Sequence, residues 1–264
     1  MRVISIHDKQ TIEMFARRNP YLLLYELGDL DDFFWPYTVW YGLEDAGEIK
    51  ELALFYTDVE PPVLLAHTAT SAEHMNFLIT GLMRALPHRF FSHLDAHGVH
   101  ALQHAEVESH GDFHKMGLAD RTRAAASIPA DGFSIQQLTV HDMGQIEAFY
   151  AAAYPGNWFV PRMLQTGCFF GAIDASHALV SVAGIHVFSP QFKVAALGNI
   201  ATLPSCRGHG LATAVTAALC NHLIKQDIQH IGLNVRADNA AAITCYEHLG
   251  FAHVADYGEY MITQ

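Results

Sequence analysis

LGNIATLPSCRGHGLATAVTAALCNHLIKQDIQHIGLNVRADNAAAITCYEHLGF occupies residues 197–251, and its centre is Arg207-Gly208-His209-Gly210-Leu211-Ala212. An apolar, strand-like run over residues 194–202 leads into that centre, and an amphipathic helical pattern over residues 208–226 leaves it. A glycine-bearing turn between strand and helix lets a backbone come close to phosphate. The helix N-terminus then adds unpaired N–H groups and a partial positive charge. Gly208 and Gly210 remove the β-carbons that would block such an approach, and Arg207 adds a cationic donor. These residues predict an anion cradle suited to a pyrophosphate.

The turn is not one of the familiar nucleotide loops. A Walker loop needs Lys-Ser/Thr after its last glycine, where Leu211-Ala212 stands here. A dinucleotide fingerprint needs a third glycine and an acidic residue ending the next strand, and residues 231–235 offer none. The pattern Arg-x-x-Gly-x-Ala, preceded by Pro204, instead resembles the acyl-CoA-binding motif of the GNAT superfamily of N-acyltransferases. Downstream, Asn239-Ala240-Ala241-Ala242-Ile243, Tyr246 and Gly250-Phe251 resemble that family's Asn-x-x-Ala…Tyr-x-x-x-Gly-Phe signature. The two halves of the signature stand in the right order, about one helix plus one strand apart.

The chain has 264 residues, room for one large domain or two ordinary ones, and its 51% apolar composition supports a sizeable core. No apolar run approaches the ~18 residues of a membrane helix. The N-terminus MRVISIHDKQ has no signal-peptide core, so the reading is no membrane and a cytoplasmic location. Cys168, Cys206, Cys220 and Cys245 have no CxxC spacing, which fits reduced thiols better than a disulfide framework. A formal net charge of −12 argues against a nucleic-acid partner and is compatible with a cationic acceptor. The oligomeric state is not readable from this composition.

Turn signals and periodicity predict helices over residues 8–18 and 21–34, then strands over 38–43, 48–57 and 63–67. A helix over 71–86 capped by Ser71, a strand at 90–94, a helix at 98–106 and a strand at 113–118 follow. Residues 121–132 read as a linker. The second half is expected to run strand 133–138, helix 141–154, a short helix 161–165 opened by Pro161, and strands 168–174, 179–188 and 194–202. Helix 208–226, strand 232–235, helix 240–249 and a last strand within 251–263, or a tight hairpin about Gly258, complete it. Apart from the strand that opens the second half, both halves thus run helix, helix, three strands, helix, strand, helix, strand.

That order resembles the GNAT fold twice over. The fold class implied is α/β (α+β), two tandem GNAT-like domains, each a mixed, mostly antiparallel sheet flanked by helices. Residues 1–125 would be a degenerate domain without a cofactor motif, because Thr68-Ala69-Thr70-Ser71 replaces the cradle with no arginine and no glycine. Residues 131–264 would be the acyl-CoA-binding catalytic domain. The two-domain plan resembles that of glycine N-acyltransferase and mycothiol synthase relatives. An open sheet edge of the second domain is expected to be covered by the first, with its own sheet or with a strand at residues 2–6.

The resemblance implies specific roles. Backbone groups of Ile200, Ala201 and Thr202 would bond the pantetheine arm of acetyl-CoA or another short acyl-CoA, and residues Arg207, Gly208, His209, Gly210, Leu211 and Ala212 its pyrophosphate. Asn239 matches a cofactor-contacting position, though a helix cap explains it equally. Tyr246 matches the family's general acid; a phenol with a reference pKa of ~10 is protonated at neutral pH, and simple packing is the rival reading. Some members carry Glu five residues before the motif Asn; Asn234 stands there and cannot take a proton. His186 and Glu259 are the remaining base candidates.

Trp158 and Phe159, in the loop between the first two helices of the second half, would cover the acceptor or else seal an interface. His93, His97, His100 and His104 include i, i+4 pairs, but Gly98 interrupts the helix and no carboxylate pattern accompanies them, so no metal is assigned. Together these residues predict an N-acetyltransferase acting on a small-molecule or peptide amine by direct attack in a ternary complex, with no covalent cysteine intermediate. The alternative is a non-catalytic module that binds or senses acyl-CoA.

Overall fold

Runs rich in β-branched and aromatic residues form strands here, and the alanine- and leucine-rich segments between them form helices. A computed structural model describes residues 1–126 and 132–264. Residues 127–131, part of the expected linker, lie outside the described residues. The elements begin with β1 (Arg2–Ser5), α1 (Lys9–Ala16), α2 (Leu24–Gly28), β2 (Thr38–Asp45), β3 (Glu48–Tyr56), β4 (Val63–Ala66) and α3 (Ala72–Leu82). β5 (Arg89–Leu94), α4 (Ala96–His100), β6 (Glu106–Leu118), α5 (Arg121–Ala126), β7 (Ser134–Gln137) and α6 (Met143–Ala153) follow. The chain continues through β8 (Phe170–Ile173), β9 (Leu179–Ser189), β10 (Val194–Thr202), α7 (Leu211–Lys225), β11 (His230–Arg236), α8 (Ala240–His248) and β12 (Phe251–Thr263).

Two units result. The first comprises Met1–Lys115, Val235–Asp238 and Val254–Gln264; the second comprises Met116–Asn234 and Asn239–His253. In the first, β1, β2, β3 and β4 pair antiparallel in sequence, β4 pairs parallel with β5, and β5 pairs antiparallel with β12. In the second, β7, β8, β9 and β10 pair antiparallel in sequence, and β10 pairs parallel with β11. Each parallel pair is bridged by a helix, α3 or α7, as a parallel connection requires. The two units therefore repeat one plan, a mixed and mostly antiparallel sheet flanked by helices.

In the first unit α3 buries Met75, Leu78, Ile79 and Leu82 against Leu43, Ala53, Leu64, Phe90 and Leu94. Burying each of the larger side chains contributes on the order of 1.5–3 kcal/mol. In the second unit α7 turns Leu211, Val215, Leu219, Cys220 and Leu223 inward.

Several expectations are corrected. The helix expected over residues 21–34 shrinks to α2, five residues, followed by a 3₁₀ turn at Trp35–Tyr37. Asp31 bonds the Phe33 N–H at 3.1 Å there, and Pro36 stands in the first turn of the 3₁₀ segment, so the local chemistry favours turns. The helix expected at 98–106 is α4 and stops at His100, and β6 begins at Glu106 rather than at residue 113. Residues 121–126 of the expected linker are helical. Arg2–Ser5 pairs with Glu44 to Tyr41 of β2, so this strand extends the first unit's own sheet. Residues 251–263 form one continuous strand and no hairpin about Gly258.

The first unit's strand-to-helix turn has an internal occupant. Glu51, wholly buried on β3, accepts the N–H groups of Ala69, Thr70 and Ser71 at 2.9, 2.8 and 2.9 Å and the Thr70 hydroxyl at 2.8 Å. Asp95 accepts the Thr68 N–H at 2.7 Å and those of His97 and Gly98 at 3.0 Å. The donors of the turn leading into α3 are thus satisfied by a carboxylate from within. Glu51→Ala would remove a buried carboxylate acceptor from three N–H groups of a part-buried turn, and a hydrogen bond to a charged group contributes ~1.5–3 kcal/mol. We expect this variant to lose at least ~3 kcal/mol in chemical denaturation and Glu51→Gln, which keeps one acceptor oxygen, to lose less. An unchanged denaturation midpoint for Glu51→Ala would refute the assignment.

Candidate functional site

In the second unit, β10 follows β11 only from Val194 to Leu197, paired with His230 to Leu233. On its other side, β10 pairs Gly198 with Gly184 and then Ala201 with Val182, so one extra residue is accommodated between them. This is a β-bulge, and Asn199 within it has a left-handed backbone with φ of 54°. The Asn199 carbonyl accepts the Tyr150 hydroxyl of α6 at 2.6 Å. Its side-chain amide donates to the Ile185 carbonyl at 3.5 Å and to Met163 Sδ at 3.6 Å.

Beyond the bulge, Ile200, Ala201 and Thr202 are half-buried. Ser181 Oγ donates to the Ala201 carbonyl at 3.0 Å, and the Arg207 Nε donates to the Thr202 carbonyl at 3.4 Å. Arg207 therefore holds the turn as well as standing exposed at its rim. A 3₁₀ turn over Pro204–Cys206 leads into Gly208 and Gly210, both left-handed at φ of 81° and 72°. A β-carbon at either glycine would meet no heavy atom within 4 Å, so the protein's own packing does not forbid one. The conformation does favour glycine, and the space stays open for an approaching group.

The helix pattern expected from residue 208 begins at Leu211, with Gly210 as its cap and His209 exposed before it. No side chain caps α7, in contrast with α3, whose preceding turn is filled by Glu51 and whose His74 N–H is capped by Ser71 at 3.2 Å. Leu211 is buried and Ala212 half-buried. An uncapped helix start behind an open glycine turn fits a phosphate.

Thr213 of α7 contacts Cys245 Sγ of α8 at 3.1 Å, which sets the first turn of α7 against the residue preceding Tyr246. Tyr246 is 8% exposed and stacks edge-on with Phe251 at 6.0 Å. Burial pushes its phenol well above the ordinary value, with the nearby Cys245, Tyr154 and Cys220 adding to the effect, so it stays protonated. Asn239 caps α8 by accepting the Ala242 N–H at 3.2 Å, a complete structural role for that side chain. Asn234 is half-buried on β11.

His186 lies on β9, where burial pushes its imidazole down to about 4 against the opposing pull of its hydrogen bond with Asn199. Of the other base candidates, Glu259 belongs to the first unit, where it lies 3.4 Å from His93 Nε2 and accepts the Tyr257 hydroxyl at 3.3 Å. Burial raises its carboxyl to about 7. Cys168 is fully buried and its thiol is pushed up to about 12, a poor nucleophile at neutral pH. Trp158 is 48% exposed, whereas Phe159 is half-buried between Tyr150 and Phe169 at ring distances of 5.3 and 5.6 Å. A cavity of about 310 Å³ opens there, lined by Glu147, Tyr150, Asn157 and Phe159 among others.

Sequence reasoning missed the bulge and its two anchors, Tyr150 and Asn199. Gly198-Asn199 inside an apolar strand was the available signal, since a glycine in a strand often marks a bulge. No sequence signal pointed from residue 150 to residue 199.

Residues 136–251 match the model of the acetyltransferase (GNAT) family. The mycothiol acetyltransferase of Beutenbergia cavernae is 31% identical over 148 residues, 55% of this chain and 43% of that protein. The [ribosomal protein bS18]-alanine N-acetyltransferase of Escherichia coli is 46% identical over 57 residues, 22% of this chain and 38% of that protein. The chain thus spans less than half the length of these curated relatives. A tandem GNAT protein from the clavulanic acid biosynthesis pathway superposes with a TM-score of 0.57 at 12% identity, over 98% of this chain and 97% of that one. The fold is therefore that of tandem GNAT-like units, and no helix among the described residues is long and apolar enough to cross a membrane.

One packing constraint is directly testable. A β-carbon on Gly198 would fall 2.4 Å from the His186 ring, so Gly198→Ala forces that ring to move. Overpacking of this kind costs ~1–3 kcal/mol. His186→Ala should relieve it, so the double variant should be more stable than the sum of the single effects predicts. Additive losses in thermal unfolding would show that the ring and the glycine are independent.

Proposed function

We propose that this chain, whose residues 136–251 form a domain of the acetyltransferase (GNAT) family, transfers an acetyl group from acetyl-CoA to an amine. One observation carries the reading: on the chain that follows β10, which pairs with β11 only as far as Leu197, the open, left-handed glycine turn at Gly208 and Gly210 leads into an uncapped α7. The N–H groups at the start of α7, together with Arg207, suit a pyrophosphate, and the backbone beside the bulge suits a pantetheine arm. Bound acetyl-CoA would supply an activated thioester carbon. Tyr246, kept protonated by burial, would give its proton to the departing sulfur.

The division of labour follows from the same chemistry. Residues 131–264 act as the catalytic domain. Residues 1–125 act as a structural unit without acyl-CoA, because Glu51 already occupies the donors of its turn. Asn234 is not a base, and His186, held down to about 4, is a weak one, so the acceptor enters as a free amine. The inert thiol of Cys168 supports direct attack without an acyl-enzyme. The acceptor is a small molecule or a peptide amine, bound beside Trp158 and Phe159, and the net charge of −12 favours a cationic one over any nucleic acid. Four free cysteines agree with a reducing cytoplasm.

Thiol release from acetyl-CoA over a panel of amines tests the reading. Acetyl-CoA binding without release for any amine would favour a sensing module, the reading to which Asn234 lends some support. Gly210→Val should weaken acetyl-CoA binding at least tenfold, ~1.4 kcal/mol, in a calorimetric titration. Unchanged affinity in a folded variant would displace the pyrophosphate from this turn. Tyr246→Phe should lower turnover by roughly 10²–10⁴ with little change in acetyl-CoA affinity, and wild-type turnover would end the general-acid role.

A further inference from the structure

Tyr150 joins two features that no sequence motif links. Its ring lines the 310 Å³ cavity and packs 5.3 Å from Phe159. Its hydroxyl, in a residue only 3% exposed, donates to the Asn199 carbonyl at 2.6 Å. Asn199 is the left-handed residue of the bulge, a conformation uncommon outside glycine and one that asparagine tolerates. The other contacts of Asn199 run from its side chain, to the Ile185 carbonyl at 3.5 Å, to Met163 Sδ at 3.6 Å and to His186. The 2.6 Å bond from Tyr150, by contrast, holds the carbonyl of the peptide itself.

Peptide planarity gives the bond its consequence. In a trans peptide the carbonyl of residue 199 and the N–H of residue 200 point in opposite directions. Tying the carbonyl to Tyr150 therefore turns the Ile200 N–H away from Tyr150. We propose that Tyr150 is a positioning residue for acyl transfer, setting the Asn199–Ile200 peptide so that the Ile200 N–H is held toward the bound acyl group. The inference rests on the acetyl-CoA reading above and adds a residue to it. Pre-aimed donors accelerate a reaction because nothing has to reorient as charge develops.

Tyr150→Phe removes only the hydroxyl. With acetyl-CoA and an accepted amine, kcat should fall about tenfold or more while the KM for acetyl-CoA stays within about threefold. In ¹⁵N-labelled protein without ligand, the Ile200 amide resonance should shift and exchange faster with solvent. An unmoved Ile200 amide overturns the proposal whatever the turnover, and a moved amide with wild-type kcat overturns it too. If the unsubstituted chain acetylates no amine, the acetyltransferase reading has failed on its own, and the Ile200 amide still decides whether Tyr150 sets the peptide. Should Tyr150→Phe not fold, the unsubstituted chain offers a second measurement. A Tyr150 hydroxyl proton slow enough to give its own resonance supports the bond, and one averaged with solvent refutes it.

Discussion

A buried backbone must find partners for its N–H and carbonyl groups, and the short parallel pair in each unit leaves that demand unmet at its end. β4 and β5 pair over four residues, as do β10 and β11. Past that point the first unit supplies side chains. Glu51 takes the three N–H groups leading into α3, and Asp95 takes that of Thr68. The second unit supplies glycines and leaves α7 uncapped. One local topology thus reaches two outcomes, a self-satisfied turn and an open one, and the difference lies in a few side chains.

Burial, more than charge pairing, sets the acid–base character of the second unit. Tyr246 and Tyr150 are kept protonated, Cys168 and Cys220 are pushed up to about 12, and His186 is pushed down to about 4, in each case by loss of water first. Burial of this kind keeps phenols and thiols protonated at neutral pH. The first unit uses burial differently. Lys115 sits over the rings of Tyr25 and Tyr257 at 5.3 and 5.4 Å, with Glu26 buried nearby. Burial lowers the lysine and raises the glutamate, and their mutual attraction partly offsets both effects. These groups form a polar core around Tyr257, whose ring also meets His67, His93 and Phe113.

The glycine turn before a helix and the repeated element order were legible in the chain because both are local. Arg207 to Ala212, Asn239 and Tyr246 lie within two helices and a strand of one another, and glycine, cap and periodicity signals act over a few residues. The absence of glycines at residues 68–71 likewise marked the first turn as different. What filled that turn was not legible, since Glu51 reaches it from about twenty residues upstream. The Tyr150 bond spans 49 residues for the same reason. The pairing of Gly258 to Thr263 with Leu94 to Arg89 crosses more than half of the chain. Periodicity could give a strand at the C-terminus, but not the sheet it would enter. Residue identity and spacing determined which turn carries the glycines and which helix carries Tyr246. Only the tertiary structure decided which backbone groups remain open there, because side chains distant in sequence compete for the same N–H groups and carbonyls, and short-range patterns carry no record of them.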